Sequence, residues 1–294
     1  MANYSIKDIE NFTGIKAHTI RIWEKRYNII EPKRTDTNIR YYDDEDLKKI
    51  LNISILNRNG FKISNIITLS DDTINEIVLN LAQSHNNVDS QIESLVTSMI
   101  DLDEAKFEKI FNTAVINLGF EEAILKVMYP FFEKIGLLWQ IGTVNPAQEH
   151  FVSNLLRQKL IVAIDGLVEN LNGHTKNFLL FLPEGEFHEL GLIFYHYLIR
   201  KYKHRVIYLG ETVPFNGLVE ISKNKNVDYV VTAMITAKPE EEAEAYIKNL
   251  SELFKDATIF ISGIQIRNFK FKFPKNVLRL EDVYKFKQDL EAIS

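Results

Sequence analysis

From Thr175 onward the chain alternates short apolar runs with amphipathic helical stretches, and this alternation leaves few folds open. NFLLFLP reads as a strand and HELGLIFYHYLIRKYK as a helix. HRVIYLG, VDYVVTAMIT and ATIFISG read as further strands, separated by the helical FNGLVEISKNK and EEEAEAYIKNLSELFKD. NVLRL and EDVYKFKQDLEAI supply a last strand and helix. Strands that alternate with helices predict a doubly wound parallel sheet, with ligands taken at the C-terminal ends of its strands.

The part before Thr175 follows a different pattern, and a chain of 294 residues exceeds one compact domain, so two or three domains are expected. INEIVLNLAQ, IESLVTSMI, EAKFEKIFNTAVINL, FEEAILKVMYPFFEKIGLLW and NPAQEHFVSNLLRQKLIVAIDGLV each show helical apolar periodicity. Each is expected to pack one face inward, so together they predict a bundle of four or five antiparallel helices. Pro130 should kink or interrupt the helix that contains it. One corner of this bundle carries more chemistry. Trp139 ends a helix, Gly142 lets the chain turn, and Asn145-Pro146 opens the next helix with cap and first-turn residues. Glu149 and His150 then fall about one turn into that helix. An aromatic plate beside a carboxylate and an imidazole can cover an adenine or ribose; the same residues also fit a buried Trp with a surface Glu-His pair.

The first stretch, YSIKDIENFTGIKAHTIRIWEKRY, reads as two short helices around a turn at Thr13-Gly14-Ile15. Ser5 caps the first, which places Ile6, Ile9 and Phe12 at helical spacing. The second buries Ile20 and Trp23 and leaves Lys16, His18, Thr19, Arg21 and Lys25 as exposed candidates for bases and phosphates. The extended pieces EPKR and IRYY, separated by a turn from Thr35 to Asn38, predict a hairpin wing from which Arg34, Arg40 and Tyr41 can reach a DNA backbone. Asp43 should cap a third helix that begins near Glu45. The predicted division is a winged helix over 1–72, a helical bundle over 73–173 and a parallel α/β domain over 174–294.

Charge agrees with this division. Residues 1–70 hold 12 Lys/Arg against 9 Asp/Glu, while the remainder holds 23 against 31. A basic head on an acidic body suits a nucleic-acid-facing end. The chain has no Cys, which excludes disulfides, Cys-ligated zinc, iron–sulfur clusters and thiol nucleophiles. No stretch approaches the roughly 20 apolar residues of a membrane span, and MANYSIKDIE lacks the layout of a signal peptide. A cytoplasmic setting suits such a chain.

At the end of the first strand of the sheet sits PEGEFHELG, which spaces Glu186, His188 and Gly191 as E-x-H-x-x-G. A strand-to-helix loop can project an imidazole out of the sheet, and a carboxylate on its other nitrogen can set the tautomer. Gly191 lets backbone or ligand come close.

Three motifs together carry a family resemblance. T-I-R-I-W-E-K-R-Y and I-R-Y-Y-D-D-E-D-L, at this spacing, resemble the MerR family of transcriptional regulators. The E-x-H-x-x-G triplet resembles the D-x-H-x-x-G motif of cobalamin-binding Rossmann domains, in which this His is the lower cobalt ligand. W-x9-E-H resembles the helical cap of the CarH class of light-responsive cobalamin repressors. The resemblance implies a DNA-binding regulator rather than an enzyme, with cobalamin, in its adenosyl form, as cofactor. Its partners would be a double-stranded operator and further copies of itself, as homo-dimer or homo-tetramer. It implies that His188 binds cobalt with Glu186 or a backbone group orienting it, and that Trp139, Glu149 and His150 surround the adenosyl group. Thr232 and the Ser262-Gly263 pair fall where the family lines the nucleotide tail.

The chain departs from the pattern in three places. Glu186 replaces Asp and is one methylene longer, so its bond to His188 is expected to run through water. Ser262 replaces a Gly and narrows the tail channel. Gln140 stands where the light-responsive class commonly has a His that takes the upper cobalt position after photolysis, which argues against a bis-His light state. Two other readings are a MerR-type regulator that no longer uses cobalamin, and a corrinoid carrier for methyl transfer; a carrier has no reason to bear a winged helix.

Overall fold

Short polar side chains set the start of the N-terminal helices in the computed structural model, which describes residues 4–35, 38–82, 88–140, 145–167, 175–269 and 271–293; of residues 82, 137–140 and 268 it describes the backbone alone. Ser5 accepts from the backbone of Asp8, and Asp8 answers from its side chain, which starts α1 (Ile6–Thr13). Asp43 and Asp46 repeat the arrangement at α3 (Asp44–Arg58), one residue before the expected start. Gly14, at φ +69, ends α1 in the left-handed region, and α2 (Ala17–Tyr27) follows with Ile20 and Trp23 buried. β1 (Lys33–Arg34) and β2 (Arg40–Tyr41) pair antiparallel as the expected wing. The chain folds as two units, residues 1–155 and 156–294, and the division falls inside a helix.

The first unit continues with α4 (Ile63–Ile66), α5 (Asp71–Ala82), α6 (Val88–Asp101), α7 (Glu104–Leu118), α8 (Phe120–Ala123) and α9 (Tyr129–Gln140). Pro130 interrupts its helix as expected. Lacking an N–H, it cannot bond the carbonyl four residues back, and the chain widens into a π-helical turn over Ile124–Met128 just before it. The expectation that every helix packs a single face is wrong for α6, which is buried on all sides from Ser90 to Ile100. It packs against α3, α5, α7 and α9, so it is the axis of the unit. Its small hydroxyls cope with burial by bonding their own backbone, Thr97 to the carbonyl of Ser94 and Ser98 to that of Leu95, each at 2.8 Å.

Winged helix and bundle therefore share one core, and two ion pairs among the described residues cross between them, Lys48 on Asp101 and Arg58 on Glu93. Glu93 of α6 is buried and meets Arg58 Nη1 at 2.6 Å, while Arg58 Nη2 donates to the carbonyl of Thr13 at the turn between α1 and α2. α10 (Pro146–Asp165) is tied back by Gln148, whose Nε2 donates to the carbonyl of Ile100 at 3.1 Å.

The second unit is the expected doubly wound sheet. Its strands β3 (Asn177–Pro183), β4 (Arg205–Val213), β5 (Tyr229–Ala233), β6 (Thr258–Ser262) and β7 (Val277–Arg279) run parallel in the order β4-β3-β5-β6-β7. Side chains alternate across it. Leu179, Phe181, Val230, Ile259 and Ile261 join one cluster with α12 (Phe215–Asn224) and α13 (Glu240–Leu253). On the other face Phe178, Tyr229 and Phe260 lie ring beside ring, and Phe286 of α15 (Val283–Ala292) packs edge-on between Phe260 and Tyr195 of α11 (Leu190–Lys201). A short α14 (Ile264–Asn268), absent from the sequence reading, follows β6. Because β4 and β5 lie on opposite sides of β3, the chain leaves β3 at the switch point, the place where open α/β sheets take their ligands.

Burial raises the Glu93 carboxyl to about 7, against the pull of Arg58 and Lys134. An acid whose folded value lies above its unfolded one stabilises most below the unfolded value, 4.5, and this contribution is lost as pH rises through about 7. The first unit should thus lose on the order of 1–3 kcal/mol of stability over that window. Glu93→Gln should flatten the loss in denaturant titrations at several pH values.

Candidate functional site

The head presents a groove between α2 and the wing, where Arg21, Lys25 and Arg40 share the walls with Glu24 and Glu31. Lys16, His18, Arg21, Lys25, Arg34 and Arg40 are exposed, and Thr19 and Tyr41 are partly so. Glu24 organises this surface from within. It accepts from Arg40 at 3.4 Å and from the hydroxyl of Tyr42, so the recognition helix and wing are joined through one carboxylate. Arg34 is steered by Asn38 Oδ1 at 2.6 Å, and Lys16 pairs with Glu10 at 2.9 Å. Tyr4 donates to Asp44 at 2.7 Å and its backbone bridges that of Tyr42, which anchors the base of the wing. Glu24 and Tyr42 were missed from sequence, since nothing in their spacing signals a shared bond.

The second constellation lies at the end of β3. Pro183 and Glu186 close a tight turn, with Gly185 at φ +79, and this aims Glu186 back under the sheet's edge. Its carboxylate is only 2% exposed and gathers donors from two segments, its own loop and the residues just past β5. Oε1 lies 2.5 Å from His188 Nδ1 and takes the backbone N–H groups of Phe187 and His188 and the hydroxyl of Thr236. Oε2 takes the N–H groups of Ile235 at 2.8 Å and Thr236 at 2.7 Å, just past β5. Burial alone would raise this carboxyl, but His188 and the two N–H groups outweigh it and hold it at about 2. The expectation of a water-mediated bond is therefore corrected. The extra methylene of Glu lets the carboxylate sit lower, between the ends of β3 and β5, and still touch the ring directly. Nδ1 faces the carboxylate, which sets the orientation of the ring, and the ring is largely exposed. Ile235 and Thr236 belong to this site and were not singled out from sequence.

Around it, Thr232 is fully buried on β5 and its hydroxyl has no partner among the described residues. Gly263 follows β6 at φ +115, where a Cβ would lie 2.0 Å from the carbonyl oxygen of Met234; no other residue fits. Ser262 bonds the Tyr195 hydroxyl from α11. Gly191, at the start of α11, has open space where its Cβ would be, so the chain itself makes no close approach there. Glu189, next to His188, is held by Arg157 Nε at 2.5 Å and by the Tyr208 hydroxyl at 3.0 Å.

In the first unit, Asn145 and Pro146 open α10 as expected, with Asn145 Oδ1 accepting from Ala147 at 3.0 Å. Glu149 is held by Ser153 and lies 3.3 Å from His150 Nδ1, and His150 is exposed. Trp139 and Gln140 close α9 in the backbone, but their side chains, like Gly142, lie outside the described residues.

Comparison with known proteins bears on both constellations. Residues 4–73 match the model for MerR HTH family regulatory proteins, and residues 91–163 match a B12 binding domain. The HTH-type transcriptional repressor CarH of Myxococcus xanthus is 25% identical over 272 residues, covering 90% of both chains. The chain thus joins a MerR HTH region to a B12 binding domain and is similar to CarH over nine-tenths of its length. The repressor CarA of the same organism is 22% identical, over 89% of this chain and 87% of its own. Among solved structures, the Methanosarcina barkeri monomethylamine corrinoid protein superposes with a TM-score of 0.54 at 15% identity, covering 67% of this chain and 96% of that one. That likeness shows the fold of the helical and α/β parts. Among the described residues no helix is long and apolar enough to cross a membrane.

For a MerR-type regulator with a B12 domain, the residues at the sheet's switch point suit a corrinoid. An imidazole oriented by a buried carboxylate is a competent cobalt ligand. The orphaned Thr232 hydroxyl, the obligatory Gly263 and the open space at Gly191 lie on the strands and helix that surround it.

Two outcomes test these constellations. Arg21→Ala and Lys25→Ala should each weaken DNA binding at all sequences and lower the slope of log affinity against log salt by about 1. Glu186→Ala should cost the cofactor-free protein about 2–4 kcal/mol in denaturant titrations, since it strands the buried N–H groups of Ile235 and Thr236.

Proposed function

We propose that this regulator is a cytoplasmic, cobalamin-controlled repressor whose signal is the state of adenosylcobalamin. The contact that carries the reading is His188 Nδ1 on Glu186 at 2.5 Å, on the same chain as a winged helix whose open groove carries Arg21, Lys25 and Arg40. Residues 1–72 serve as the DNA-binding head, 73–173 as the cap and 174–294 as the corrinoid-binding domain. Lys16, His18, Thr19, Arg21 and Lys25 face the major groove, and Arg34, Arg40 and Tyr41 the backbone.

When bound, adenosylcobalamin supplies a light-labile cobalt–carbon bond and an adenosyl group whose loss is the signal. Within the proposal, His188 ligates cobalt through Nε2, and Glu186 fixes the ring and its tautomer. Thr232, Ser262 and Gly263 line the nucleotide tail, and Gly191 gives the macrocycle room. Trp139, Glu149 and His150 face the adenosyl group. Gln140 would offer the cofactor an amide and no imidazole. Assembly into dimers or tetramers joins several weak heads on one operator, and avidity turns a modest change at the pocket into a large change in occupancy.

The test is an absorption spectrum of purified protein loaded with adenosylcobalamin in the dark, desalted and then exposed to green light, alongside a DNA-shift assay. Retained cofactor, a light-driven spectral change and a fall in operator binding are expected. All three should vanish in His188→Ala, which should keep its fold and basal DNA binding. Equal cobalamin retention by His188→Ala would overturn the ligand assignment. Colourless wild-type protein that still shifts DNA would leave a MerR-type regulator of another signal.

A further inference from the structure

The first unit holds a cleft of about 420 Å³ that none of the roles above uses. Its walls come from α3, α5, α6, the start of α7 and the Asn28–Glu31 loop that joins the recognition helix to the wing. Two groups in it lack what their chemistry calls for. Asn52 is 9% exposed; its Nδ2 donates to Asn75 Oδ1 at 2.8 Å, and its Oδ1 has no partner among the described residues. Exchanging the oxygen and nitrogen of the amide would only pass the unmet bond to the other atom.

Lys106 enters from the first turn of α7. Burial holds its ammonium below the usual lysine range even though Asp101 and Asp103 draw it upward, and it makes no ion pair among the described residues. Lys48 beside it is fully engaged, at 2.6 Å from Asp101 and 2.7 Å from Glu45. Asp71, at the start of α5, lines the same cleft and also lacks an ion-pair partner among the described residues. The buried side chains of Ile29 and Ile74 give the cleft an apolar floor.

We propose that this cleft binds a small zwitterion of the α-amino-acid class, with its carboxylate on Lys106 and its ammonium between Asp71 and the Asn52 amide oxygen. A simple anion would leave Asp71 and Asn52 unanswered and would face the nearby carboxylates. A simple cation would leave Lys106 unanswered. The volume suits a molecule of this size. The site is separate from the cobalamin reading and does not rest on it.

Its place in the fold makes it a second input to DNA binding. The occupant would tie α3, α5 and α7 to the loop between recognition helix and wing, where Asn28 ends α2 in the left-handed region at φ 49. Arg21, Lys25 and Arg40 stand exposed in the arrangement that such a tie would hold. Occupancy should therefore raise operator affinity by a few fold.

The experiment uses full-length, cobalamin-free protein. Thermal unfolding and titration calorimetry are run with each common amino acid singly at millimolar concentration, and with acetate and methylammonium as the separated charges. At least one amino acid should raise the melting temperature by roughly 2–4 °C, and neither separated ion should do so. Lys106→Met should abolish the rise and leave cobalamin retention unchanged. Asn52→Leu should do the same; if it unfolds, Lys106→Met still decides. No shift with any amino acid, an equal shift with acetate or methylammonium alone, or a shift kept by Lys106→Met would each overturn the proposal. Failure here leaves the cobalamin reading untouched, because that reading is judged by colour retention and His188→Ala.

Discussion

The buried carboxylate of Glu186 governs the ligand-facing end of the sheet. A charge taken out of water must be paid back by donors, and here they come from its own loop, from His188 and from the two backbone N–H groups just past β5. The result is a rigid link between the ends of β3 and β5 at the point where the strand order reverses. An imidazole on a mobile loop would be a poor metal ligand. The same imidazole, held by a carboxylate that cannot move without stranding two N–H groups, is fixed in place. The next residue, Glu189, is fixed in turn by Arg157 and Tyr208, so the whole turn into α11 is braced.

The head follows a parallel logic. Glu24 joins the recognition helix to the wing, and Arg58 joins the helix–turn–helix to the axis of the bundle through Glu93. α6 is buried on every side, so a shift in it has no solvent-facing slack to absorb it. Arg58 bonds both that helix and the Thr13 carbonyl, which places the turn before the recognition helix in direct mechanical contact with the bundle. This gives a physical path by which the state of the bundle can reach the DNA-facing surface.

Much of this was legible in the sequence. Ser5, Asp43, Asn145 and Pro146 announce their helix starts because capping is a local matter, settled within three residues. The strand–helix alternation announced the parallel sheet, since each element's apolar pattern reports its own burial. The E-x-H-x-x-G spacing announced the His–carboxylate pair for the same reason: the two residues lie in one loop. The order of winged helix, bundle and sheet, and the chemistry that each can support, are properties of the sequence alone.

Other features arise only when distant segments meet. That Glu186 touches His188 directly depends on the N–H groups of Ile235 and Thr236, about fifty residues away, which position its longer side chain. The burial of α6 on all sides depends on four other helices, so its sequence reads as one-faced while its environment is not. Arg58, Glu24 and Asn52 look like ordinary surface residues until the fold sets a carboxylate, a tyrosine or a cleft against them. Sequence determined which elements form and which residue types each could offer, because those depend on neighbours along the chain. The tertiary structure decided which polar groups are buried together, because desolvation and pairing depend on neighbours in space.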